Sequence, residues 1–284
     1  MNKFEFIEEG HKYLLNGKRL TGVTTIIGII AKPELIAWSA KQAGEFIQKQ
    51  AVYNRKENNY TILKKDIELS KTAWCGTRDR AGDVGTILHS IVEDYVKSKI
   101  NKTEFNFEIS KQYAIQKYKI EITEKELIKV KPMFDQFLNW EKEDNIQFLL
   151  SEQKIYSEKY WYAGTVDLVF IKDGKVYIGD LKTSRDVYYS HFTQMGGYEV
   201  GLKERGKILQ CEGYCVINIP KYLNKEGLAI KRVIYEGNNQ EHMKAFLNAC
   251  YLYRYKSKHE KRFGTTRAKK KTGITSKKSV TIKI

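Results

Sequence analysis

The stretch 163–184, AGTVDLVFIKDGKVYIGDLKTS, constrains this chain more than any other. Two β-rich runs flank Asp173-Gly174, and Asp-Gly between such runs signals a two-residue hairpin of type I′. With those residues as the turn, Lys172 faces Lys175 and the register places Asp167 directly opposite Asp180. Opposed residues of this kind hold their Cβ atoms about 4.5–5.5 Å apart on one face of a sheet. Lys182 projects to the same face as Asp180, two residues before it. Two carboxylates and an ammonium therefore converge. Facing carboxylates repel unless a proton or a cation lies between them, and oxygen-rich sites of this kind suit Mg²⁺ or Mn²⁺. A charge ladder on a solvated sheet is the other reading. Against it, Val166, Leu168, Val169, Val176, Tyr177 and Ile178 mark both strands as central, where unpaired charge is costly.

The segments around this hairpin predict an α/β chain with a mixed sheet. Residues 3–30 read as an N-terminal hairpin, FEFIEEGHKYLLNGKRL, turning at Asn16-Gly17 and followed by TGVTTIIGII, and Pro33 opens a helix over ELIAWSAKQAGEFIQKQ. Residues 54–66 are polar and poorly periodic, which reads as a loop. A helix fits Gly85–Lys99, with Ile87, Leu88, Ile91, Val92 and Tyr95 as its apolar stripe. Helical pattern also covers about 123–144, entered through the capping-box pattern Thr123–Glu126, and Pro132 interrupts it, so it reads as two segments or one kinked helix. From Gln147 the period becomes two, giving strands over 147–157, 162–172 and 175–184. A helix at about 186–204, a strand at 214–219 and a closing helix at about 240–255 follow. Helices first, then strand–strand–strand–helix–strand, is an α/β layout. No Pro/Gly/Ser linker is visible, so residues 1–263 read as one domain: a helical N-terminal part to about 146, a core over 147–220 and the closing helix. Residues 264–284 read as a basic, flexible tail.

Charge is concentrated at that end. The chain carries 50 Lys/Arg against 34 Asp/Glu, and Arg254–Ile284 holds twelve of the former with a single acid, Glu260. Such a block is read as a polyanion contact, most often nucleic acid, or else as a solubilising tail. Nineteen Tyr, 12 Phe and 4 Trp are enough to include stacking platforms for unpaired bases beyond those the core consumes. Cys75, Cys211, Cys215 and Cys250 form no CxxC and read as small buried hydrophobes, with no iron–sulfur cluster expected. The longest apolar stretch, Ile26–Ala31, is far below the ~18–20 residues of a membrane span. The N-terminus has no signal-like apolar region, so a soluble, cytoplasmic protein is expected.

Gly164-x-x-Asp167, a short hairpin and Asp180-Leu181-Lys182 together resemble the signature of the PD-(D/E)XK nuclease superfamily. Gln194-Met195-Gly196-Gly197-Tyr198 is similar to the QxxxY motif of its RecB-type exonuclease branch. Gly85-Thr86-Ile87-Leu88-His89 is similar to that branch's upstream GxxxH motif. The segment VTTIIGIIAKPELIAWSAKQAG is similar to N-terminal regions of phage exonucleases and of the mitochondrial genome-maintenance exonuclease. The four motifs span about residues 20–220, in order.

The resemblance implies a restriction-endonuclease-like core, a central mixed sheet flanked by helices with a helical N-terminal elaboration. It implies a metal-dependent DNA exonuclease, using Mg²⁺ or Mn²⁺, in phage or bacterial replication, recombination or repair. Asp167, Asp180, the Leu181 carbonyl and His89 would be the metal ligands, and Lys182 would orient or deprotonate the attacking water. Gln194 and Tyr198 would brace the site and contact DNA. Glu152 falls loosely where an auxiliary acid stands, and Glu93, one turn after His89, would orient its imidazole. From the residues alone, His89 also fits a packed histidine, Gln194 and Tyr198 an i, i+4 packing pair, and Glu93 a solvated helix charge. A sequence- or structure-specific endonuclease of the same fold and an inactive nucleic-acid-binding relative are the alternatives. No GxxxxGK[ST] loop is present, so a motor would have to come from another protein.

Overall fold

The computed structural model describes residues 3–263 and 279–283. The chain divides into two compact units, Met1–Ile30 with Asp83–Arg262, and Ala31–Gly82 with Phe263–Ile284. Chain order opens with β1 (Phe4–Ile7), β2 (Lys12–Leu15), β3 (Lys18–Gly22) and the short helix α1 (Val23–Ile27). The β2–β3 turn is Asn16-Gly17 with both φ values positive, 50° and 74°, as a type I′ turn requires. The second unit follows with α2 (Pro33–Gln50), β4 (Val52–Asn54), β5 (Asn59–Leu63) and α3 (Lys64–Ser70). The loop expected over 54–66 is therefore a hairpin running into a helix. Its tip is polar, and only Asn59 and Ile62 are buried, so the apolar alternation that signals a strand is too short to see.

Helix α4 (Ala73–Asn101) begins in that unit and continues through the first, longer by more than a turn at its N-terminal end than its apolar stripe implied. Next come α5 (Phe107–Tyr118), α6 (Glu124–Leu127) and α7 (Val130–Glu143). The Asn106 side chain caps α5 by accepting the Ile109 N–H at 3.1 Å. The helical stretch over 123–144 is two segments. Thr123 and Glu126 form the capping box of α6, and Pro132 sits in the first turn of α7, where no intrahelical N–H is lost.

The sheet then builds from β6 (Gln147–Ser157), β7 (Tyr162–Lys172), β8 (Lys175–Lys182), α8 (Tyr189–Glu204), β9 (Gly213–Asn218) and β10 (Arg232–Glu236). Helix α9 (Asn239–Phe263) and β11 (Ser279–Lys283) end the chain. Within the expected tail, residues 264–278 and 284 lie outside the described residues. Ser279–Lys283 forms a strand, antiparallel to β5 in a second sheet of order β11-β5-β4.

The large sheet runs β1-β2-β3-β7-β8-β9-β10, with β6 on the other edge of β7. It is mixed: β7 is antiparallel to β6 and β8 but parallel to β3, and β8 is parallel to β9. Helices cover both faces, the α/β layout expected. One face packs α4 and α7 (Leu88, Ile91, Phe137, Trp140) on Leu168, Phe170, Leu181 and Ile217. The other packs α1, α8 and α9 (Ile26, Met195, Tyr198, Phe246) on Tyr162, Val166, Val169 and Val216. Close approach on that second side needs glycine. A Cβ on Gly197 would lie 2.7 Å from the Phe246 ring. Of the cysteines, Cys215 and Cys250 are buried as expected, while Cys75 and Cys211 are only half-buried.

Candidate metal site

Strand β7 forks along one edge. Its first residues pair with β3, ending at Ala163 with Gly22, and its last pair with β8, starting at Leu168 with Gly179. Residues 164–167 pair with neither on that edge. The Asp173-Gly174 turn has φ values of 50° and 74°, and the register is the expected one, Lys172 with Lys175. The ladder nevertheless stops one pair short of Asp167 and Asp180. In the gap, the Asp167 side chain takes over a backbone role, as Oδ2 accepts the Leu181 N–H at 3.0 Å.

The strand's alternation also breaks here. Val166 packs on the α8–α9 side and Leu168 on the α4–α7 side, although residues two apart ordinarily share a face. On β6, Ser151 pairs with Leu168 and Gln153 with Val166, so Glu152 lies across from Asp167, and its φ is +48°. A left-handed non-glycine residue inside a strand is strained, and such residues gather at functional sites. Three carboxylates, Glu152, Asp167 and Asp180, thus come from matching positions on three adjacent strands.

Helix α4 brings the histidine. A Cβ at Gly85 would stand 2.7 Å from Thr183 Oγ1, so glycine there lets α4 lie against the end of β8. One turn on, His89 Nδ1 is 3.6 Å from Asp167 Oδ2. Ligand atoms of His89, Glu152 and Asp167 all fall within 4.8 Å of one another. They line a small recess with Glu93, Ser151 and Leu181. Asp180, fully buried, is drawn instead to Lys182, whose Nζ hydrogen-bonds Oδ1 at 2.8 Å and lies 2.7 Å from Oδ2.

The electrostatics follow from this crowding. Burial, then the charges of Asp167 and Glu93, push the Glu152 carboxyl up to about 8. Burial lifts Asp180 to about 6, against the pull of Lys182, with Asp167 adding to the rise. Burial also raises Asp167, opposed by Lys182 and the Leu181 N–H. For Lys182, burial alone would lower the ammonium, but Asp180 and Asp167 together raise it, so it stays charged. A third of the His89 side chain is exposed, yet burial of the rest and then the Lys182 charge bring it down to about 4, leaving a neutral imidazole with a free electron pair.

Of the outer residues, Gln194 Nε2 donates to the Tyr198 hydroxyl at 2.5 Å, both side chains buried on α8. The Tyr198 ring lies over Gly164, where a Cβ would come within 2.9 Å of it. Burial, then Asp167 and Asp180, hold its hydroxyl well above its ordinary pKa. Glu93 faces the recess but is ion-paired with Lys97 one turn along α4. Sequence reasoning missed Ser151, whose buried hydroxyl has no partner, and Lys221, whose charge reaches His89 from beyond β9. It also ranked Glu152 below Asp180 as a partner of His89 and Asp167. A single Glu among polar strand residues carries no signal of left-handed backbone.

A family model described as "Protein of unknown function (DUF2800)" matches residues 71–212. No curated protein matches. Among solved structures, "Crystal Structure of LHK-Exo in complex with dAMP" overlaps with a TM-score of 0.31 and 10% identity, covering 65% of this chain and 96% of that one. "Crystal structure of SSO0001" overlaps with a TM-score of 0.27 and 13% identity, covering 58% and 74%. Among the described residues, no helix is long and apolar enough to cross a membrane.

Proposed function

Because the chain belongs to the DUF2800 family, whose function is unknown, we propose its activity from the site itself: divalent-metal-dependent hydrolysis of DNA phosphodiesters, as an exonuclease of the RecB type. The observation that carries this reading is the convergence of His89, Glu152 and Asp167, with the Asp180–Lys182 ion pair on the neighbouring strand.

The donor set fits a hard divalent cation. It offers carboxylate oxygens and a neutral imidazole within reach of one another. Burial, and then the neighbouring Asp167 and Glu93 charges, raise the Glu152 carboxyl, and a cation among these acids would offset that crowding. His89, Glu152 and Asp167 would hold the ion, with Asp180 as the neighbouring carboxylate. When bound, such a cation supplies Lewis-acid polarisation of a phosphoryl oxygen and a water of lowered pKa.

The chain's own residues do the rest. Lys182, charged and fixed by Asp180, offsets negative charge developing on the phosphate and orients the attacking water. The Leu181 N–H fixes the Asp167 carboxylate. Gln194 and Tyr198, bonded to each other on α8, would brace the site from within the core.

The test is digestion of end-labelled single- and double-stranded DNA with Mg²⁺ or Mn²⁺, comparing wild type with Asp180→Ala and Lys182→Ala. Metal-dependent release of nucleotides from ends, lost in both variants, is expected. Activity unchanged in both would remove the assigned site. Cleavage of covalently closed circles would make the enzyme an endonuclease.

A further inference from the structure

The second unit carries an arrangement the catalytic site does not use. Strands β4 and β5 pair with Tyr53 directly opposite Tyr60, and the two rings lie 5.0 Å apart, tilted by 45°. Both are large side chains left in solvent, at 48% and 42% exposure. Directly opposed aromatics normally hide one face in a core; these two stand on the outermost strand and its neighbour. The Tyr53 hydroxyl donates to Asn58 Oδ1 at 2.7 Å, which steadies its ring against the hairpin tip. Beside them an open hollow is lined by Val52, Asn54, Arg55, Lys56 and Thr61 as well as Tyr53.

The charge around this face is predominantly positive, with Glu57 the one acid at the hairpin tip, held by Asn59. Arg55 and Lys56 at the tip, and Lys64 and Lys65 just after β5, are exposed, and among the described residues none of the four forms an ion pair. Residues 31–82 hold ten Lys/Arg against six Asp/Glu, and residues 263–284 hold seven against none. The second unit therefore carries +11 of the chain's +16. Its C-terminal segment ends on the same sheet, as β11 beside β5.

We propose that the β4–β5 hairpin is a binding platform for single-stranded nucleic acid, on which Tyr53 and Tyr60 stack against unpaired bases while Arg55 and Lys56 contact phosphates. Rigid exposed rings inside a basic field are the combination that holds single strands without reading sequence. Paired bases hide their faces in the helical stack, so a duplex would gain only the electrostatic share. The choice of polymer rests on the nuclease reading; the platform's geometry does not.

The experiment uses the full chain in EDTA, with fluorescein-labelled oligothymidylate followed by anisotropy. Tyr53→Ala/Tyr60→Ala should weaken single-strand binding by about tenfold or more, while Tyr53→Phe/Tyr60→Phe retains it and duplex binding is unchanged by either pair. Arg55→Glu/Lys56→Glu should flatten the salt dependence for both forms. In parallel, hydrolysis of thymidine 5′-(p-nitrophenyl phosphate) with Mn²⁺ should proceed equally in all four proteins. Hydrolysis with oligonucleotide binding unchanged in the alanine pair overturns the platform and leaves the nuclease reading standing. Binding lost in the alanine pair, with no hydrolysis by wild type, overturns the nuclease reading and supports the platform. Self-association lost in the alanine pair with oligonucleotide binding intact assigns the face to a second copy, and overturns the proposal.

Discussion

The Asp167 carboxylate, not a backbone carbonyl, accepts the Leu181 N–H, at 3.0 Å. That bond bridges the place where β7 leaves β8, so one side chain both closes the sheet and faces His89. The two duties are separable. Asp167→Asn keeps an acceptor for the N–H and removes a charge from a crowded acidic site. Asp167→Ala leaves a buried donor without a partner, at a cost of about 1–3 kcal/mol. Thermal unfolding in EDTA should therefore place the Asn variant at or above wild type and the Ala variant below it, with neither further stabilised by Mn²⁺.

Acid titration gives a second check. Folded, Glu152 rises from 4.5 to about 8 and Asp180 from 3.8 to about 6. A carboxyl raised on folding stabilises fully below its unfolded value, and that contribution is lost as pH climbs through the folded one. In EDTA, Tm should fall as pH rises across that window, and Glu152→Gln should remove the part of the fall reaching toward 8. Saturating Mn²⁺ should flatten the wild-type profile, since a cation replaces the displaced proton. A profile rising with pH in EDTA would contradict the charge crowding described.

Lys182 is paired with a fully buried carboxylate. Lys182→Met should leave Asp180 protonated and the fold intact, while lowering kcat by roughly two orders of magnitude or more. Calorimetric titration with Mn²⁺ should still find the site occupied. Loss of cation binding together with activity would make Lys182 a structural partner only.

Gly164 is where the Tyr198 ring meets the sheet. A methyl there would stand 2.9 Å from the ring and 3.0 Å from Val23 Cγ2. Gly164→Ala should destabilise by about 1–3 kcal/mol through overpacking. Adding Val23→Ala should return part of that loss in urea unfolding.

Much of this was legible in the sequence, because the strongest local signal coincides with the site. Asp173-Gly174 fixes the turn and the turn fixes the register as far as Leu168 with Gly179, one pair short of Asp167 and Asp180. What local pattern cannot carry is where a ladder ends. The fork at residues 164–167 arises because β3, more than a hundred residues earlier, takes the start of β7. Glu152 was ranked low for the same reason, since its backbone turn is imposed by pairing with β7 and not by its own side chain. Strands β4 and β5 lay below notice because a short, polar, exposed hairpin has almost no apolar period to read.

The proposed activity requires a divalent cation held between β6, β7 and α4. Mn²⁺ titration followed by electron paramagnetic resonance, in wild type and Asp167→Asn, reads it directly. Saturable binding in wild type, with the free-ion signal undiminished by the variant, is the expected result. Equal binding in the two proteins, or none in either, would contradict it.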